Sequence, residues 1–293
     1  MKPKQVRQYS KDDPLTHGID RGQLLFQQLA KAEIDLGEQL LDVGCGYGGL
    51  SIAYAKTGRT AFALDMDPQN MKTLIRRILA YESSPGKVFP FLGSVLSIPL
   101  PDAIVDIALM IGVVEWLGYS DSEKGVRDLQ IGGLKEVCRV VKPGGYLIIG
   151  TKNRLFPRYL WRDAQLKTPL VNALPRQMAN WLSLEVWGHE YRGYIYSYWG
   201  WKKLITEAGF MLHDTFVPIF NYQFPLLLVR AWDSVRIGRR LSTIVQQLPP
   251  KFRDAAVNTG SQARLWYYPF LSSLGLLGVG AGTFLFLCKK VES

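Results

Sequence analysis

The sequence predicts an α/β domain with a seven-stranded, mostly parallel sheet, helices on both faces, and an aromatic and helical cap. Two observations carry this expectation. From residue 39 to residue 150, short apolar runs alternate with amphipathic stretches at helical spacing, the pattern of strands joined by crossover helices. The chain of 293 residues is 47% hydrophobic and 20% charged, enough apolar material for one large core and no composition for disorder. One domain over 1–293 is therefore expected, with its core at 35–155 and two insertions, 156–198 and 218–270, as the cap.

The elements follow in order. Leu24, Leu25, Leu29 and Ala32 recur at helical spacing before Gly37, and Gln39 to Val43 reads as a buried strand. After a glycine turn come a helix from Leu50 to Lys56, a strand from Ala61 to Leu64, and a helix over Met71 to Tyr81 started by Pro68. Strands follow at Val88 to Leu92 and Ile104 to Met110. A long helix from about Asp121 places Val126, Leu134, Val137, Cys138 and Val141 on one face, and Lys142-Pro143-Gly144-Gly145 stops it before the strand Tyr146 to Gly150. Aromatic residues crowd the next stretch to Tyr198, where periodicity weakens. Trp199 to Ala208 predicts a helix capped by Gly209, and Phe210 to Val217 a strand. Phe224 to Leu241 is expected to be an amphipathic helix carrying Arg230, Arg236, Arg239 and Arg240.

The C-terminal stretch Phe270 to Cys288 carries no charged residue, has Trp266, Tyr267 and Tyr268 in front and is followed by Lys289 and Lys290. That is the dress of a membrane span. Four glycines (Gly275, Gly278, Gly280, Gly282) and Ser272-Ser273 favour a loop leading into a short antiparallel strand, Thr283 to Cys288, over that alternative. The basic N-terminus has no apolar run behind it, so no signal peptide is expected there and a cytoplasmic location is. Cys45, Cys138 and Cys288 stand singly and only three histidines occur, so no metal site is expected. A net charge of +10 suits anionic partners: nucleic acid, lipid headgroups or an acidic substrate.

The strongest local signal is Leu41-Asp42-Val43-Gly44-Cys45-Gly46-Tyr47-Gly48-Gly49-Leu50, a glycine loop between a predicted strand and a predicted helix. Such a loop lets the backbone turn tightly and approach a ligand with helix N–H groups facing it. Asp65 ends the next strand, where a carboxylate can accept both ribose hydroxyls of a nucleoside. Gly44, Gly46 and Gly49 also satisfy the dinucleotide fingerprint of an oxidoreductase. Asp42 separates the two readings: an anion there repels a pyrophosphate and suits a sulfonium and an ammonium.

With these residues the chain resembles the class I S-adenosylmethionine (SAM) dependent methyltransferases, whose sheet is Rossmann-like. Further landmarks appear in order: Ala63-Leu64-Asp65-Met66-Asp67-Pro68, Gly93-Ser94 with Ile98-Pro99-Leu100-Pro101, Val105-Asp106 with Met110-Ile111-Gly112-Val113, and Arg139-Val140-Val141-Lys142-Pro143-Gly144-Gly145. The resemblance implies SAM as cofactor, held by Asp42, Gly44, Cys45, Gly46, Gly48, Asp65, Met66, Ser94, Val95 and Ile111. Ser94 stands where the family often has Asp against the adenine amino group.

For the acceptor the residues say less. Methyl transfer is an in-line displacement that needs alignment above all, and a hydroxyl nucleophile benefits from a general base. Glu115 just past the fourth strand, His189 within Gly188-His189-Glu190-Tyr191-Arg192, and His17 near the N-terminus are the candidates, each set against an ordinary structural role. The tetrapeptide of base-amino methyltransferases is absent after the fourth strand, so DNA is not expected. RNA ranks low, because no RNA-binding module or dense basic run accompanies the charge. Tyr194, Tyr196 and Tyr198 alternate and would share one face if extended, a stacking surface for a sugar or a packing face for the cap. Scattered matches at Glu115-Trp116, Asn153-Arg154, Leu174-Pro175-Arg176, Tyr196-Ser197, Ala208-Gly209-Phe210 and Tyr222 with Pro225 resemble methyltransferases of cell-surface glycan assembly. They imply O-methylation of a small molecule or lipid-linked glycan, with peripheral membrane contact through the Phe224 to Leu241 helix. The competing expectations are a nucleotide-dependent oxidoreductase and a non-catalytic, membrane-associated scaffold.

Overall fold

The computed structural model describes residues 18–80, 85–161, 169–232 and 262–291. Its frame is one eight-stranded sheet. In chain order come α1 (Ile19–Lys31), β1 (Gln39–Val43), α2 (Gly49–Ala55), β2 (Thr60–Asp65), α3 (Pro68–Ala80), β3 (Lys87–Leu92) and β4 (Val105–Ile111). A 3-10 helix (Val114–Tyr119), α4 (Val126–Val140), β5 (Val141–Lys152), α5 (Pro157–Trp161), α6 (Arg176–Trp187) and α7 (Tyr198–Glu207) follow. The chain ends with β6 (Phe210–Asn221), β7 (Phe224–Arg230), α8 (Gln262–Ser273), α9 (Leu277–Gly280) and β8 (Thr283–Lys290).

The strand order is β3-β2-β1-β4-β5-β8-β6-β7. The first five strands are parallel, as their crossover helices require, and β8 runs antiparallel between β5 and β6. The chain order reverses between β1 and β4, which opens a crevice at the carboxyl ends of those strands. Leu40, Leu41, Ile107, Ala108, Leu109, Leu147, Ile148 and Ile149 are fully buried. Two apolar clusters cover the two faces: one includes α4 and Trp201 of α7, the other α1, α2 and Leu74 of α3.

Three expectations change. The sheet has eight strands, not seven, because Phe224 to Arg230 is a strand and not the start of a helix. It forms a hairpin with β6 in which Asn221 faces Phe224 across the turn Tyr222-Gln223. As the edge strand it tolerates Pro225, which has no N–H to give a second neighbour. Arg236, Arg239 and Arg240 lie outside the described residues. The stretch before the last strand is helical at α8 and α9 rather than a loop, with Pro269 inside α8. The long helix α4 begins at Val126, five residues later than Asp121. Residues 270–288 divide between the end of α8, α9 and a buried sheet strand, so the membrane-span alternative falls. Among the described residues no helix is long and apolar enough to cross a membrane.

Candidate functional site

The glycine loop lies at the reversal of strand order. Gly48 caps α2 with φ +71°, and a Cβ there would stand 2.1 Å from Leu74 Cδ1, so this position admits no other residue without rearrangement. Two bonds clamp the loop to β2: Cys45 N–H donates to the Leu64 carbonyl at 3.0 Å and Gly46 N–H to Asp65 Oδ2 at 2.8 Å. Arg77 of α3 holds the Tyr47 carbonyl from outside at 2.6 Å. Gly46 (φ +56°) has nothing within 4 Å of where a Cβ would sit, so the backbone itself faces the open space.

That space is a cleft of about 140 Å³ lined by Arg21, Asp42, Gly44, Cys45, Gly46, Leu50, Ile111 and Gln223, among others. It is smaller than the roughly 300–1,000 Å³ usual for a pocket that encloses a whole ligand. It suits one end of an extended molecule. Asp42 is buried and accepts from Ser51 Oγ at 2.6 Å. Loss of water raises its pKa to about 6, against the pull of Ser51 and the Arg21 guanidinium. A cation entering the cleft would relieve that burial and hold the carboxylate ionised. The Cys45 thiol is pushed up by burial, then by Asp42 and Asp65, and stays protonated and inert.

Beyond the loop, Asp65 closes β2. Its Oδ1 accepts from Asp67 N–H at 2.9 Å and Asn70 Nδ2 at 3.2 Å, while Oδ2 takes Gly46. Oδ1 is taken twice and Oδ2 once, so Oδ2 keeps a lone pair and the carboxylate is fixed in place. Met66 beside it is 66% exposed. Ser94 Oγ accepts from Leu96 N–H at 3.2 Å, which turns the chain so that Val95 is buried. Arg139 and Glu136 of α4 grip this segment: Glu136 accepts from Ile98 N–H, and Arg139 donates to the Ile98 and Leu100 carbonyls.

The structure thus brings together Asp42, Gly44, Cys45, Gly46, Gly48, Asp65 and Ile111, with Met66, Ser94 and Val95 on adjoining strand ends. The candidate bases are not gathered in the same way. Glu115 is fully buried in the 3-10 helix, accepting from Lys152 Nζ at 2.9 Å and from Thr151 Oγ1 at 3.3 Å. Lys152 is held protonated by that carboxylate despite its own burial. His189 is exposed at the end of α6, its Nδ1 3.1 Å from the Glu190 carbonyl. His17 lies outside the described residues. The tyrosine stripe is spent on packing. Tyr194 and Tyr196 stack on Arg176 at 4.1 and 5.6 Å, Tyr196 bonds Gln130, and Tyr198 meets Trp232, Phe284 and Phe286. Some of the scattered matches meet, as packing away from the cleft: Arg154 donates to the Asn172 and Leu174 carbonyls and from its backbone to that of Tyr196, and Arg176 lies over the Tyr196 ring.

Sequence reasoning missed Arg21, Ser51, Lys152 and Gln223. Arg21 and Gln223 reach the cleft from α1 and the β6–β7 turn, and Ser51 and Lys152 are settled only by their buried partners. For Ser51 a signal existed, a hydroxyl on the first turn of the helix behind the buried acid.

The class of domain these features define is a Rossmann-like α/β fold whose glycine loop, ribose-side acid and buried loop acid address a cationic nucleoside. Residues 41–149 match the family model described as "Methyltransferase domain". Similar proteins include a malonyl-[acyl-carrier protein] O-methyltransferase of Serratia marcescens, 35% identical over 39% of this chain and 38% of that protein. A ubiquinone biosynthesis O-methyltransferase of Vibrio vulnificus is 30% identical over 45% of this chain and 52% of that one. The chain therefore spans at most about half the length of these curated relatives. The crystal structure of a SAM-dependent methyltransferase from Methanosarcina mazei superposes with TM-score 0.53 at 13% identity, covering 90% of this chain and 98% of that one. Residues 41–149 thus match a methyltransferase domain, and the fold is that of SAM-dependent methyltransferases, whose methyl donor is SAM.

The residues present fit that donor. Asp42 offers a buried carboxylate to the charged methionyl end, Gly46 offers bare backbone with open space before it, and Asp65 offers an anchored carboxylate whose Oδ2 keeps a lone pair on the ribose side. Met66, Ser94 and Val95 would face the adenine. When bound, SAM supplies an electrophilic methyl group on a positively charged sulfur. In that fit Asp42 would face the charged methionyl end and Asp65 the nucleoside.

Proposed function

We propose that this protein transfers the methyl group of SAM to an oxygen of a small-molecule acceptor. The observation that carries the reading is the pairing of a buried Asp42 with an Asp65 that bonds the glycine loop itself. Together they form one rigid anionic cradle across β1 and β2. A nicotinamide or flavin dinucleotide would place its pyrophosphate against Asp42, which opposes it. The acceptor chemistry draws on the two O-methyltransferases the core resembles, one named for a malonyl group and one for ubiquinone biosynthesis. A sugar acceptor loses its support, since the tyrosines that would have stacked on it pack within the protein. Membrane contact through a helix at Phe224 loses it too, since that segment is a sheet strand.

The mechanism asks little of the chain beyond alignment. The test is incubation of the purified protein with radiolabelled SAM and a panel of small carboxylic acids, phenols and alcohols, reading label transfer and S-adenosylhomocysteine (SAH) release. Transfer that is abolished by Asp65→Ala supports the reading. Undiminished transfer by Asp65→Ala would overturn the assignment of the cradle.

A further inference from the structure

Beside the cradle lies a second polar cluster with no role so far. Tyr222, in the β6–β7 turn, lays its ring across the ends of β4 and β5. A Cβ on Gly112 would stand 3.0 Å from its hydroxyl, and one on Gly150 3.1 Å from its ring. Two glycines on neighbouring strands, linked by the bond from Gly112 N–H to the Gly150 carbonyl at 2.7 Å, thus make the seat for this one side chain. Ile111 and Gln223, the residues flanking Gly112 and Tyr222 in sequence, line the cleft, and Val113 packs against Gly44 of the glycine loop. The phenol is buried behind that lining, next in sequence to Gln223.

Its surroundings carry charges of both signs. Lys152 Nζ lies 5.9 Å from the Tyr222 ring centre and interacts with its hydroxyl. Arg21, in the cleft wall, interacts with both Asp42 and the phenol. Both cations have an anion nearby, Glu115 for Lys152 and Asp42 for Arg21. Burial above all keeps the phenol protonated, and Lys152 hydrogen-bonds with its hydroxyl. Glu115, the carboxylate that acts on it, is already bound by Lys152 and Thr151.

We infer that Tyr222, backed by the Lys152–Glu115 pair and by Arg21, is the acceptor-binding residue, and that it selects an acceptor whose oxygen arrives already ionised: a carboxylate or an acidic phenol or enol. A phenolic donor with Lys152 at its hydroxyl stabilises an oxyanion and gives no help in deprotonating a neutral alcohol. The ionised oxygen supplies the electron pair of the new O–CH3 bond, the sulfur keeps the pair of the bond that breaks, and no proton is left to be taken up. The inference rests on the methyltransferase reading and adds to it the class of acceptor.

The test uses Tyr222→Phe, which keeps the ring on its glycine seat and removes only the hydroxyl. SAH affinity is measured first by calorimetry, then binding of benzoate, 4-nitrophenolate and the neutral control benzyl alcohol to the SAH-loaded protein by saturation-transfer NMR. The expected result is that both anions bind the wild type at least about tenfold more tightly than benzyl alcohol. Tyr222→Phe should lose most of that preference with SAH affinity within twofold of wild type. Equal binding of alcohol and anions, binding of none of the three, or an unchanged preference in Tyr222→Phe overturns the inference while SAH binding leaves the methyltransferase reading standing. A wild type that fails to bind SAH overturns both.

Discussion

Asp42 should destabilise the empty protein that it equips for binding. Its pKa rises from an ordinary 3.8 to about 6, chiefly through burial. About two units, at about 1.36 kcal/mol each, place an upper limit of about 3 kcal/mol on what ionised Asp42 subtracts from stability at pH 7. The sign follows from proton counts: between the two values the native state holds more proton than the unfolded chain, so this contribution to stability grows as pH falls from 7 toward 4. Asp42→Asn keeps an oxygen for Ser51 and removes the buried charge, although Arg21 loses a favourable neighbour. The variant should be more stable than wild type at pH 7, by up to about 3 kcal/mol, with roughly half that advantage left at pH 5. It should also bind SAH about tenfold or more weakly, because the ligand's ammonium loses its counter-charge. Urea unfolding at the two pH values and calorimetry with SAH read both quantities. An Asp42→Asn protein that is less stable at pH 7, or whose advantage does not change with pH, refutes the reasoning.

Other outcomes follow from the same geometry. SAH binding at pH 6 should release a fraction of a proton as Asp42 ionises, seen as binding heats that depend on the buffer's ionisation enthalpy; buffer-independent heats count against it. Gly48→Ala should lose about 2 kcal/mol or more, from the left-handed φ and the overlap with Leu74, with a matching fall in thermal midpoint. Lys152→Met should be destabilised by about 3–5 kcal/mol because Glu115 is left buried without its cation, and the double variant with Glu115→Leu should recover most of it. A double variant no better than the single one would mean the pair is not what holds that corner together.

Much of this was legible in the chain. Alternation of apolar runs and amphipathic stretches from Gln39 to Gly150 placed the first four parallel strands to within one residue, while β5 starts at Val141, five residues before Tyr146, and the glycine loop with Asp42 marked the cleft. Val105-Asp106 was read as a landmark without its reason. Asp106 accepts from the Glu38 and Gln39 N–H groups and pairs with Lys142, stapling the start of β1 to its neighbours. What failed to show has a common cause. Phe-Pro-Leu-Leu-Leu-Val-Arg has no period of its own, and only pairing with β6 makes it a strand rather than a helix. Glu115 and Lys152 lie 37 positions apart and meet because β4 and β5 are adjacent. The tyrosines of the cap alternate as a binding face would, yet Arg176 and Gln130 claim two of them from distant segments. Local pattern set the elements, and long-range pairing decided which polar groups stayed available for a ligand.

The central claim, that the cradle of Asp42, the glycine loop and Asp65 binds SAM, is tested most directly by titrating the wild-type protein with SAH in a calorimeter, with NADH in parallel. The account predicts micromolar binding of SAH and none of NADH. Binding of NADH alone, or silence from both, would contradict it.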